Sequence, residues 1–148
     1  MAKFSFRLQT LLKLRLATRD ERLLQLTEAY RAGDVLEQRL GEVQNDLREL
    51  KGQTLREAEP GPINVDLLLD AHRYELVLNA QKHGISQQQQ AVEAETDQRR
   101  QALVDANRQV RVLETLREKQ VDRHRLEEHR KQQKELDEIA GRSKPIKV

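Results

Sequence analysis

The chain has 148 residues, of which 35% are charged, and it carries a formal net charge of +2 at pH 7. Aromatic residues make up 3% of the sequence and tryptophan is absent, so the large side chains that usually fill a globular core are scarce. Cysteine is absent too, which excludes disulfides and thiolate catalysis. Because leucine, alanine, glutamate, glutamine and arginine dominate, the composition predicts long helices that form a coiled coil.

The first 19 residues are basic and apolar and contain no acid, which permits two interpretations. An acid-poor, arginine-containing amphipathic start is typical of a mitochondrial transit peptide. The first turns of a coiled-coil helix have the same character, and here the apolar positions continue in phase into acid-containing sequence without a small-residue cleavage site. We therefore expect a helix. A secretory signal is disfavoured because Lys13 and Arg15 interrupt its apolar segment.

Apolar residues in the first half of the chain recur at steps of three and four, which place them on one stripe of a helix. The pattern predicts a helix from about residue 5 to about residue 57. Pro60 and Pro62 end it, because proline lacks the N–H that a helix needs and disfavours helical geometry at the preceding residue. The predicted stripe consists of Leu12, Leu16, Arg19, Leu23, Leu26, Tyr30 and Gly33 and, after a shift of phase, Leu36, Leu40, Val43, Leu47 and Leu50.

A second helix is predicted to begin after Asn64, whose side chain can cap it, with Asp66 near its positive end. Gly84 is ambiguous, because glycine commonly ends helices. Ile85 and Gln88 keep the phase of the residues on either side, which favours a continuous helix. The second stripe consists of Ala71, Tyr74, Leu78, Gln81, Ile85, Gln88, Val92, Glu95 and Arg99 and, one residue out of phase, Leu103, Ala106, Val110 and Leu113.

Two helices joined by a short turn must run antiparallel if their stripes are to be buried together. We therefore predict an all-α fold, an elongated antiparallel two-helix coiled-coil hairpin. The first long helix takes residues 1–57, the turn 58–64, the second long helix 65–140 and a frayed tail 141–148. Polar residues within the seam, such as Gln81, specify register at a cost in stability.

No motif for catalysis or for metal binding stands out, and we expect neither an enzyme nor a cofactor. His124 and His129 lie five residues apart, about 140° around a helix, so they cannot chelate one ion. Glu127 and Glu128 are adjacent on a helix. A catalytic pair of carboxylates needs a cleft that excludes water, and an exposed helix does not provide one. Basic residues are interleaved with acids, which is typical of a solvated helix surface, so no nucleic-acid partner is expected.

Short motifs at both ends are the most distinctive features of the sequence. Residues 6–15 read Phe-Arg-Leu-Gln-Thr-Leu-Leu-Lys-Leu-Arg, and residues 112–119 read Val-Leu-Glu-Thr-Leu-Arg-Glu-Lys. Residues 135–140 add Glu-Leu-Asp-Glu-Ile-Ala, and Leu78 follows Tyr74 by four residues. In this order the segments resemble the flagellar FliJ family, which opens with Phe-Arg-Leu-x-x-Leu-Leu-x-x-Arg, ends near Leu-Asp-Glu-Ile-Ala and has an aromatic residue and a leucine between. The resemblance covers nearly the whole chain.

This resemblance implies a component of the bacterial flagellar type III export apparatus, cytoplasmic and peripherally associated with the inner membrane at the flagellar base. The chain would be similar to the central stalk of rotary ATPases. It would insert its terminal end into the ring of the export ATPase, contact the cytoplasmic domain of the export gate protein and escort export chaperones. The resemblance also implies that Tyr74 and Leu78 contact the gate, although their place in the stripe equally suits burial in the seam. The residues expected to contact the ATPase ring are Phe4, Phe6, Leu8 and Leu11.

Two alternatives remain open from the sequence. One is the equivalent stalk protein of a virulence type III secretion system, which has the same mechanical character. The other is a generic coiled-coil scaffold or nucleic-acid-associated protein, whose partner binding should fall steeply with salt as counterions are released.

Overall fold

The computed structural model describes residues 3–58 and 61–143. These residues form two helices, α1 (Gln9–Glu57) and α2 (Val65–Arg142), and no strand. The predicted all-α helical hairpin is confirmed. Pro60, on which the predicted break partly rests, lies outside the described residues, as does most of the predicted tail.

Local sequence signals fix the beginnings of both helices. A turn in which the Gln9 N–H bonds the Phe6 carbonyl at 3.1 Å precedes α1, so this helix begins about four residues later than its apolar spacing suggested. At the start of α2 the Asn64 Oδ1 accepts a hydrogen bond from the Asp66 N–H at 3.1 Å, and the Leu68 N–H bonds the Asn64 carbonyl at 3.2 Å. Asn64 is therefore the predicted N-cap, satisfying an N–H that the helix leaves unpaired.

The chain forms two compact units, a terminal unit (Met1–Asp20 with Val104–Val148) and a middle unit (Glu21–Leu103). In the middle unit the Arg99 guanidinium donates to the Gln25 carbonyl at 2.6 Å. Further along α1, Gly33 lies against Val92, whose Cγ1 would be 3.9 Å from a Cβ at that glycine. Later residues of α1 thus meet earlier residues of α2, so the two helices are antiparallel within this unit.

The same order holds within the terminal unit. The Arg15 side chain donates to the Gln109 Oε1 at 2.7 Å, and the rings of Phe4 and His124 lie 5.7 Å apart between centroids. The chain therefore pairs its first residues with the later part of α2.

The seam differs in detail from the predicted stripes. Leu23, Tyr30 and Tyr74 were predicted to face it and are exposed, whereas Ala29 is buried in place of Tyr30. Three polar seam positions predicted in α2 are also exposed, namely Gln81, Gln88 and Glu95. Thr96 is buried instead, and its hydroxyl donates to the Val92 carbonyl at 2.8 Å, which satisfies it within its own helix.

Helix α2 runs through Gly84 without a break. This glycine has no positive φ, and a Cβ added to it would meet no atom within 4 Å. Gly84→Ala should therefore stabilise the protein by about 0.5–1 kcal/mol, because alanine restricts the unfolded chain and favours the helix. Thermal unfolding followed by circular dichroism measures the change. A lower melting temperature would mean that Gly84 needs a conformation alanine resists.

Candidate protein-interaction site

An apolar cluster packs the start of the chain onto α2 in the terminal unit. Its buried members are Phe6 and Leu12 on the amino-terminal side and Val110 and Leu113 on α2. Four partly buried residues pack around them, and these are Phe4, Leu8, Leu11 and Leu16. The cluster anchors the non-helical segment that precedes Gln9, which makes no ladder of backbone hydrogen bonds that could hold it.

All four residues predicted to contact the ATPase ring belong to this cluster. Phe6 is 8% exposed, so most of its surface is already used within the chain. Phe4, Leu8 and Leu11 are half-buried and keep part of their surface accessible. The three half-buried side chains can therefore contact a partner directly, whereas Phe6 belongs to the buried part of the cluster on which they pack.

A shallow cavity of about 450 Å³ lies beside Phe4, between the start of the chain and α2. Phe4 packs against the His124 ring with the planes tilted by 50°. The other lining side chains are polar or charged, and they are Lys3, Ser5, Gln120, Arg123 and Glu127. Apolar and charged contacts thus lie side by side at this end of the chain.

The last turns of α2 have no partner helix among the described residues. Every residue from 129 to 143 is exposed, although the helix continues to Arg142. Leu136 and Ile139 in this stretch are 65% and 61% exposed. Isolated apolar side chains on a surface are ordinary, but an unpaired amphipathic end of a coiled-coil helix is suited to packing against another protein.

The two residues predicted to contact the export gate differ sharply in accessibility. Leu78 is 2% exposed and lies in the seam of the middle unit, whereas Tyr74 is 48% exposed one turn earlier on α2. Several apolar neighbours on the first turns of α2 are also exposed, and these are Val65, Leu67, Leu69, Leu76 and Val77. Of these, Leu67 and Val77 share the helix face of Tyr74, since they lie seven residues before it and three after it. An accessible tyrosine with apolar neighbours is the composition that protein interfaces favour. Tyr74 can therefore contact a partner directly, and Leu78 supports the helix on which it stands.

Two neighbouring arginines tie α2 to α1 in the middle unit. Arg99 bonds the Glu95 carboxylate at 2.9 Å in addition to the Gln25 carbonyl. Arg100 donates to the Tyr30 hydroxyl at 3.1 Å and pairs with Asp97 at 3.0 Å. The hydrogen bond and the charge interaction with Tyr30, and then the nearby Asp97 charge, raise the pKa of Arg100. This explains how Tyr30, displaced from the seam, is still held.

The described residues contain no group of three or more histidine, cysteine, aspartate or glutamate side chains that could hold a metal ion. His124, which had been considered as a ligand, packs against Phe4 instead. In the same residues no helix has the length and apolarity needed to cross a membrane.

An antiparallel helical hairpin with accessible apolar residues at its unpaired helix end and on the first turns of α2 defines a coiled-coil interaction protein. A family model described as flagellar FliJ protein matches residues 4–144. The chain belongs to the FliJ family, a non-enzymatic component of the flagellar type III protein export apparatus. Searches of curated proteins and of solved structures gave no match.

Proposed function

We propose that this chain is a non-enzymatic stalk of the flagellar export apparatus that binds the export ATPase ring with its terminal unit. The observation that carries the proposal is the exposed end of α2, where Leu136 and Ile139 are accessible on the turns beyond the cluster that holds the first residues of the chain. A ring lumen can cover these apolar side chains, and the charged residues around them can meet its polar rim. Binding would favour ring assembly and bias the ATPase cycle without any chemistry on the stalk.

A second contact is proposed with the cytoplasmic domain of the export gate protein. It would use Tyr74, because this side chain combines an accessible ring with a hydroxyl and stands among exposed apolar residues. Leu78, being buried, would take part by fixing the helix beneath Tyr74. The proposed gate contact would use the middle unit and the proposed ring contact the terminal unit, so a single chain would offer a separate surface to each partner.

The remaining parts of the proposal follow from family membership. The chain would escort export chaperones and act in the cytoplasm, peripherally associated with the inner membrane at the flagellar base through the other components. It would need no cofactor and no nucleic acid.

The test is a titration of the full chain into the export ATPase encoded near its gene, with ATP hydrolysis and ring formation measured at physiological salt. Stimulation that disappears when residues 1–12 or 125–148 are removed would support the stalk and locate its working end. Binding of the isolated gate domain by calorimetry is the second readout. Failure to bind either protein would overturn the proposal, and binding that vanishes with modest salt would point to a non-specific scaffold.

A further inference from the structure

Helix α2 carries a second apolar face in the terminal unit, separate from the one that packs on α1. The buried residues Val110 and Leu113 define the packed face. Val112 is 67% exposed and Leu116 is 36% exposed. Because successive residues turn by about 100°, Val112 points well away from the seam that Leu113 enters. The hairpin therefore leaves most of Val112 and about a third of Leu116 accessible.

Three cations surround this second face. A groove of about 570 Å³ runs along α2 and is lined by Val112, Leu116 and Thr115 together with Arg108, Arg111 and Lys119. No carboxylate of the described part of the chain lines it. Within the described residues none of the three cations forms an ion pair. Elsewhere on α2 such pairs do form between residues three or four apart, for example between Arg100 and Asp97.

An adjoining groove of about 430 Å³ extends the basic character toward α1. It shares Arg108 and Arg111 and adds Arg19, and Val104 contributes a further apolar contact. Glu114 is its one carboxylate, so cations outnumber acids there as well. Positions 104, 108, 112, 115 and 119 are spaced by three and four, the spacing with which one helix meets another.

We propose that the face of α2 from Val104 to Lys119, called here the basic groove, is the docking surface for an acidic amphipathic helix of a partner protein. Apolar side chains of that helix would cover Val112 and Leu116, and its glutamates and aspartates would pair with Arg108, Arg111 and Lys119. Charge complementarity selects this occupant, since the three cations would repel a basic helix and would form no ion pair with a neutral one. The basic groove is distinct from the ring and gate contacts proposed above and does not depend on them.

The test uses a synthetic peptide and the full chain. The probe is a fluorescein-labelled peptide of about three heptads with leucine at the two core positions and glutamate at the flanking positions, which also keeps it from pairing with itself. Its binding is followed by fluorescence anisotropy at physiological salt. A matched peptide with lysine in place of every glutamate should bind at least about tenfold more weakly.

Variants of the chain localise the binding. Arg108→Glu with Arg111→Glu should weaken the acidic peptide at least about tenfold, because attraction is replaced by repulsion. The control is Arg31→Glu with Arg48→Glu, which changes the net charge equally at exposed positions of α1 and should change affinity less than about threefold. Val112→Ser should also weaken binding while leaving the melting temperature nearly unchanged, since this side chain is 67% exposed.

Three outcomes would overturn the proposal. They are equal binding of the lysine peptide, an equal loss in the Arg31 and Arg48 control, and no anisotropy change at any peptide concentration up to the sub-millimolar range.

Discussion

Leu136→Glu combined with Ile139→Glu should abolish stimulation of the export ATPase while leaving the hairpin folded. Both side chains are largely exposed, and so is every residue of α2 from 129 to 143. Their substitution therefore removes no internal packing, and glutamate is a good helix former. We expect the free energy of unfolding to change by less than about 0.5 kcal/mol.

The expected effect on the ATPase is large for the same reason. If Leu136 and Ile139 enter the ring, each glutamate must be desolvated against apolar surface, at a cost of roughly 2 kcal/mol or more for each. Two such costs weaken the complex by more than about a hundredfold. Stimulation is measured by phosphate release at a chain concentration that saturates the unmodified interaction.

A matched control separates position from chemistry. Leu24→Glu with Leu55→Glu adds the same charges at equally exposed leucines of the middle unit. This variant should stimulate the ATPase normally. If both double variants lose stimulation, added negative charge is the cause, and if both retain it, the end of α2 is not the working end.

The fold was predictable because its determinants are local. Steps of three and four in the apolar residues identify helices without reference to the partner. The cap at Asn64 is a residue type and a spacing, and its side chain bonds the Asp66 N–H as expected. The same rules made Gly84 ambiguous but favoured a continuous helix, and α2 is continuous there.

The register of the seam was not predictable in the same way. A stripe drawn through the largest apolar residue of each turn selects Tyr30, whereas the structure buries Ala29. One turn further along α1, Val92 of the other helix lies against Gly33, so small residues of α1 face α2 in this stretch. Tyr30 lies outside the seam, and its hydroxyl accepts a hydrogen bond from Arg100. The pairing of small residues across the seam depends on both helices. It cannot be predicted from the apolar stripe of one helix alone.

The candidate site was likewise predictable only in part. The terminal residues were found from motifs, but their packing into a cluster with Val110 and Leu113 depends on the pairing of distant segments. The basic groove was missed because Val112 and Leu116 lie off the predicted stripe. A search for a second stripe in α2 could have found them, since Val104, Val112 and Leu116 recur at helical spacing close to Arg108 and Arg111.

Leu78→Ala and Tyr74→Ala should separate stability from gate binding, although the two residues are one helical turn apart. Leu78 is 2% exposed, so its truncation removes buried surface and leaves a cavity in the seam. We expect a loss of about 3 kcal/mol in the free energy of unfolding, measured by urea denaturation. In a hairpin with a single narrow seam, this is a large share of the total stability.

Tyr74→Ala should have the opposite profile. The ring is 48% exposed, so its loss should cost less than about 1 kcal/mol of stability. Binding of the isolated gate domain should weaken by about tenfold or more, because an accessible tyrosine among apolar neighbours is a typical interface anchor. Calorimetry on the full chain measures this affinity.

Tyr30→Ala is the control, since Tyr30 is 46% exposed in the same unit and carries the same side chain. It loses the bond to Arg100 and should bind the gate domain normally. A Tyr74 variant that keeps full affinity would remove this residue from the contact. Leu78→Ala, at a temperature where it remains folded, should weaken gate binding less than Tyr74→Ala, because Leu78 acts only by fixing the helix beneath Tyr74. An equal loss of affinity in both variants would mean that Leu78 itself contacts the gate domain.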